Sequence, residues 1–146
     1  MKDIAVNKKA YHDYFIEDTY EAGLVLKGTE IKSVRAGKVS LKEAYVSFSD
    51  GEAFVKGMNI AIYKEASYNN HDESRDRKLL LHKREITKLF SKCKIAGYTC
   101  IPLRMYYKNN KVKLEIALAK GKTLYDKRES DKKRTMERQA SQALRR

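Results

Sequence analysis

The dipeptide Asp50-Gly51 constrains this chain more than any other feature. Asp-Gly in a two-residue loop suits a type I′ turn, whose backbone twist matches that of paired antiparallel strands. Such a turn sets Phe48 opposite Ala53 and Val46 opposite Val55, so Ala44 to Asn59 becomes a hairpin with one apolar face. The same logic predicts a second hairpin around Asn109-Asn110, from Tyr98 to Tyr107 and from Val112 to Lys120. Thr99, Ile101, Leu103 and Met105 alternate on its first strand, and Val112, Leu114, Ile116 and Leu118 on its second. Alternation of period two marks a half-buried strand. Pro102 has no N–H to give and belongs at a sheet edge or a bulge.

Phe15 to Leu26 mixes alternation with branched and aromatic residues and predicts a further strand, with Gly23 as a bulge or bend inside it. Asn7 caps one or two helical turns that follow it. Gly28-Thr29 opens a short helix with Thr29 as cap, Ile31 and Val34 inside, Gly37 as stop, and Lys32, Arg35 and Lys38 outside. His82 to Ala96 is a helix facing inward with Ile86, Leu89, Phe90 and Cys93, stopped by Gly97. Ile60 to Arg77 has no period and reads as a long surface loop. Five or six strands, about three short helices and no βαβ rhythm make the chain mostly β. The pattern fits a small antiparallel barrel of the oligonucleotide-binding type with peripheral helices.

Charge narrows the partners. The chain has 32 Lys and Arg against 19 Asp and Glu, a net +13. That excess calls for a polyanion, nucleic acid before an anionic membrane surface. No apolar run reaches the length of a membrane span and no signal-peptide pattern opens the chain, so the expectation is a cytoplasmic protein. Residues 120–146 hold ten cations and four anions, a net +6. Beyond Tyr125 their large apolar residues are Met136 and Leu144, too few to offset the entropy of ordering. Residues 1–124 therefore form the barrel domain and 125–146 a basic tail, disordered when free. The tail's composition favours a helix once a partner holds it.

The stretch Arg75-Asp76-Arg77-Lys78-Leu79-Leu80-Leu81-His82-Lys83-Arg84-Glu85-Ile86 joins charge to core. Basic runs usually solvate a surface, but leucines that must pack hold their neighbouring cations in place, and fixed cations can grip phosphates. Two His-Asp pairs, His12-Asp13 and His71-Asp72, invite an acid–base reading. Adjacent residues in a strand point opposite ways, which argues against a dyad. Cys93, Cys100, His71 and His82 lack the spacing of a zinc site, and the two cysteines read as core thiols. The expectation is a monomer with no cofactor, no metal and no catalysis.

Six segments, in order along nearly the whole chain, resemble the SsrA-binding protein family, also called small protein B. They are Asn7-Lys8-Lys9-Ala10 with His12, Tyr14 and Ile16; Tyr20-Glu21-Ala22-Gly23; Leu26 to Lys38; Asp50-Gly51-Glu52-Ala53; Arg75 to Glu85; and Ala119 to Arg128. Ala61-Ile62-Tyr63 departs by lacking a proline, and Thr123-Leu124 by replacing a more basic pair. The resemblance implies a barrel that holds the tRNA-like domain of transfer-messenger RNA and enters stalled ribosomes with it. It implies that the tail lies in the empty mRNA channel by the small-subunit decoding site, with elongation factor and alanyl-tRNA synthetase reached through the RNA. Glu21, Leu80 and His82 match positions the family uses for RNA contact. Arg77, Lys78, Lys32, Lys38, Lys120 and Lys122 read as phosphate contacts, with Arg35 on the same helix as Lys32. Asn7, Lys8 and His12 support that face. Asp126, Lys127, Arg128, Lys132, Lys133, Arg134 and Arg138 are the tail residues expected at the ribosome. The alternative is a general RNA-binding barrel of ribosomal type, which would lack the Asp126-Lys127-Arg128 block joined to a tail.

Overall fold

Both hairpins form as their turns require. Asp50 and Gly51 take φ of 51° and 76°, and Asn109 and Asn110 take 52° and 63°, the left-handed values that a type I′ turn demands. The computed structural model describes residues 3–62, 71–129 and 132. Its elements run β1 (Asp3–Val6), α1 (Lys8–Asp13), β2 (Tyr14–Leu24), α2 (Gly28–Arg35), β3 (Val39–Ser40), β4 (Tyr45–Ser49), β5 (Glu52–Lys56), β6 (Asn59–Ile60), β7 (Arg77–Leu80), α3 (Lys83–Cys93), β8 (Tyr98–Lys108) and β9 (Lys111–Gly121). Residues 124–129 are helical as well.

Seven strands make one antiparallel sheet in the order β1-β8-β9-β2-β7-β5-β4, and β3 pairs with β6 apart from it. Strand β4 packs back against β8, which curls the sheet into a barrel. The first hairpin has the register its turn implies, Phe48 opposite Ala53 and Val46 opposite Val55. Three features escaped the sequence pattern, namely β1, the β3–β6 pair and β7.

The long hairpin departs from simple alternation. Its register shifts between Pro102 and Arg104, so Pro102 does sit at a bulge. Ile101 and Leu103 therefore face away from the barrel, while Met105 turns inward with Cys100, Leu114, Ile116 and Leu118. Ile101 and Leu103 join Ala10, Ala117 and Ala119 in a second small core under α1. Asn7 ties this helix to the bulge. Its N–H donates to Leu103 O at 2.7 Å, its Nδ2 to Pro102 O at 3.0 Å, and its Oδ1 accepts the Ala10 N–H at 3.2 Å. In β2 the register shifts between Ile16 and Thr19, not at Gly23.

Helix α2 turns its buried face differently from the pattern. Glu30, Ser33 and Val34 are buried and Ile31 is exposed. Lys27, not Thr29, is the cap, and the Glu30 carboxylate accepts the Lys27 N–H at 2.8 Å. Thr29 is spent on His71 at 2.9 Å, whose other ring nitrogen donates to Ile60 O at 2.8 Å. A buried carboxylate outweighs the apolar period here, because two arginines reach it.

Candidate nucleic-acid interface

Strand β7 sorts the basic run by parity. Successive side chains of a strand point to opposite faces, so Arg77 and Leu79 go in while Lys78 and Leu80 come out. Leu80 keeps 54 % of its surface in solvent, although leucine beside leucine would ordinarily read as core. The reason lies across the ladder. Leu80 pairs with Gly23, and a Cβ at position 23 would come within 3.2 Å of the Leu80 Cβ. The glycine thus clears the outer face of β2 for the leucine.

Leu80 is a ridge between two grooves. One, of about 590 Å³, is lined by Glu21, Gly23, Lys78, His82, Lys83 and Lys113 among others. The other, of about 370 Å³, is lined by Leu24, Leu26, Arg35, Tyr107, Lys111 and Lys113. His82 holds its place as the cap of α3, where its N–H donates to the Glu85 carboxylate at 3.0 Å. Lys78 reaches Glu52 at 3.1 Å on the surface. The arrangement offers an apolar wedge, cations on both sides and three carboxylates, of which Glu52 is held by Lys78 and Glu85 by the α3 cap.

The third carboxylate is Glu21, whose side chain is 36 % exposed. It accepts from Tyr106 Oη at 2.5 Å and from Lys108 Nζ at 3.3 Å. The Tyr106 hydroxyl, then Lys108, hold its carboxyl below the usual carboxylate range. Burial, and then Glu21, push the Tyr106 phenol up to about 12. Glu21 is therefore a fixed anion with unused acceptor capacity at the surface, fit for base N–H groups or a 2′-OH. Arg104 stacks 4.4 Å over Tyr106 and bonds Asp3 at 2.8 Å.

A second group gathers at the opposite end of β2, about 30 Å along the strand. Tyr14 pairs with Gly121 there, and Gly23 pairs with Lys113 at the first groove. His12 and Asp13 meet at 2.9 Å because they share the last turn of α1 and not a strand. Lys127 approaches Asp13 at 3.5 Å. The His12 bond, more than Lys127, lowers the Asp13 carboxyl against the pull of partial burial. Lys122 lies 5.2 Å over the Phe15 ring and Lys120 lies 5.9 Å over Tyr98. Thr123 and Asp126 cap the helical residues 124–129 through Asp126 Oδ2 at 2.9 Å.

Two residues expected to touch RNA do not reach the surface. Arg77 is 0 % exposed; its Nε donates to Glu30 at 2.5 Å, its Nη1 to Met58 O at 2.6 Å and its Nη2 to Glu73 O at 3.0 Å. Asn7, 5 % exposed, is spent on the α1 cap and the bulge. Glu21, Lys78, Leu80 and His82 come together, with Arg35 across the ridge. His12, Lys120 and Lys122 form the other group, while Lys32 and Lys38 are exposed and Lys8 lines a shallow groove with Leu41 and Lys42. Lys83, Lys108, Lys111 and Lys113 were missed, because cations beside a turn or alternating with core residues look like ordinary solvated positions. Lys132 is helical and exposed; Lys133, Arg134 and Arg138 lie outside the described residues. Cys93 and Cys100 are free, and burial raises both thiols.

An antiparallel barrel with a cation-lined groove and an exposed apolar wedge has the build of a nucleic-acid-binding module. Comparison narrows the class. The SmpB protein family model matches residues 4–146. An SsrA-binding protein of Geotalea uraniireducens is 55 % identical over 98 % of this chain and 95 % of its own. One of Persephonella marina is 57 % identical over 97 % of this chain and 93 % of its own. A chain of the solved structure "tmRNA-SmpB: a journey to the center of the bacterial ribosome" superposes with a TM-score of 0.70 at 44 % identity, covering 86 % of this chain and 92 % of that one. The chain belongs to the SmpB protein family.

Proposed function

We propose that this chain binds the tRNA-like domain of transfer-messenger RNA and delivers it to stalled ribosomes for trans-translation. The observation that carries this reading is the groove beside Leu80. An exposed leucine can insert beside an unstacked base, Glu21 can accept from base or ribose donors, and Lys78, Lys83 and Lys113 can meet phosphates. Recognition and delivery are the protein's share of the process, and no helix among the described residues is long and apolar enough to cross a membrane. A partner RNA and a ribosome support a cytoplasmic location, with elongation factor and alanyl-tRNA synthetase met through the RNA.

The work divides along the chain. Residues 1–124 hold the RNA. Residues 125–146 serve the ribosome, with Asp126, Lys127 and Arg128 orienting a basic helix that gains from a phosphate-lined channel what it lacks alone. Filter binding of the tRNA-like domain against competitor tRNA tests the first part. Log affinity should fall with log salt by about 0.9 for each phosphate neutralised on a duplex, and the tRNA-like domain should win. Equal affinity for both RNAs would leave only a general RNA-binding barrel. Truncation after Leu124, scored in a reconstituted stalled ribosome, should keep RNA binding and abolish tag addition. Normal tagging would refute the role of the tail.

A further inference from the structure

The apolar pattern of β7 does not choose its own register. In Arg77-Lys78-Leu79-Leu80 each face carries one cation and one leucine, so a slip of one residue buries Lys78 and Leu80 with the same apolar content. Slips of this kind are settled only where something distinguishes the faces. Here the distinction is polar. Glu30, itself fully buried on α2, meets Arg77 from inside the barrel, and Arg75, of the same parity, forks onto the same carboxylate. Asp76, of opposite parity, points out to Lys56 at 3.8 Å.

The geometry suits arginine alone. Three nitrogens of the Arg77 fork reach Glu30 and the carbonyls of Met58, Asp72 and Glu73. A lysine in its place has one ammonium on a flexible stem and cannot span them in one plane. In the slipped register Lys78 would face this set, Leu80 would turn inward, and Leu81 would stand opposite Gly23 where Leu80 now sits.

We infer that Glu30 and Arg77 are positioning residues for the RNA-binding face, their buried pair selecting the strand register that leaves Leu80 outside. A single buried polar contact that fixes register is an attested use of such groups. The inference rests on the reading above that Leu80 meets RNA, but its first readout does not.

The test uses the full chain with Glu30→Leu and Arg77→Met together, which keeps the volume apolar and leaves no buried charge between them. Cross-strand NMR contacts of Leu79 with Ala53 and Leu24 report the native register. They should weaken while contacts of a slipped strand appear, and affinity for the tRNA-like domain should fall about ten-fold, the loss of one well-seated contact. Arg77→Lys, which keeps the charge and loses the fork, should shift both readouts part of the way; it decides alone if the double variant does not fold. A single native register with wild-type affinity in these variants overturns the inference. Register lost with affinity unchanged upholds the register role and refutes Leu80 as an RNA contact.

Discussion

Glu21 and Glu30 are both carboxylates with two close partners, and both titrate below the usual carboxylate range. Glu21 sits on β2 at the surface, bonded to the phenol of buried Tyr106 and to Lys108, which solvent also reaches. Glu30 sits inside the barrel under two arginines. Burial pushes the Glu30 carboxyl up, yet Arg75, the Lys27 N–H and Arg77 together outweigh it. The difference is one of exchange. The exposed face of Glu21 and its Lys108 partner can be traded for an RNA group at little cost, since water already competes for them. Partners in the core cannot be traded, because a charge left there has no other solvation. The same chemistry is thus available for binding in one place and fixed as architecture in the other.

The sharpest way to break this comparison is Glu30→Ala. It leaves Arg77 buried without its counter-charge and should cost about 3–5 kcal/mol in urea unfolding. A cost within the surface range would mean that Glu30 is not structural. The pH profile should agree. The folded Glu30 carboxyl lies below its unfolded value of about 4.3, so its stabilisation is complete above that pH and fades as pH falls through the folded value. Glu30→Gln should remove this acid-side fall while lowering stability at neutral pH.

Leu80→Ala should do the reverse. An exposed side chain changes stability by under about 0.5 kcal/mol, whereas RNA affinity should drop by about 1–3 kcal/mol. Unchanged affinity in filter binding would remove the wedge from the interface. Glu21→Ala falls between the two. It frees the Tyr106 hydroxyl, for a cost of about 1 kcal/mol in thermal unfolding, and should also weaken RNA binding. If affinity is lost only where the barrel melts, Glu21 belongs with Glu30 and the contrast collapses. Least of all should Lys9→Ala matter. Its 3.4 Å pair with Glu43 is solvent-exposed, and such pairs contribute about 0–1 kcal/mol.

Much of the barrel is legible in local sequence. Asp50-Gly51 and Asn109-Asn110 specify their turns through φ, and a turn with alternating flanks specifies its hairpin. Asn7 announces its helix as a cap, the spacing of Ile86, Leu89 and Cys93 announces another, and the excess of lysine and arginine names a polyanionic partner before any fold is known. These signals survive because they depend on neighbours within a few residues. What only the tertiary structure decided is parity and depth. Nothing local separates Arg77 from Lys78, Leu79 from Leu80, or Glu21 from Glu30. The sorting depends on a carboxylate 47 residues away from Arg77, a glycine across the ladder from Leu80, and a bulge that turns Met105 inward. Each is a contact between segments distant in sequence, and in a barrel such contacts settle which face of a strand meets solvent.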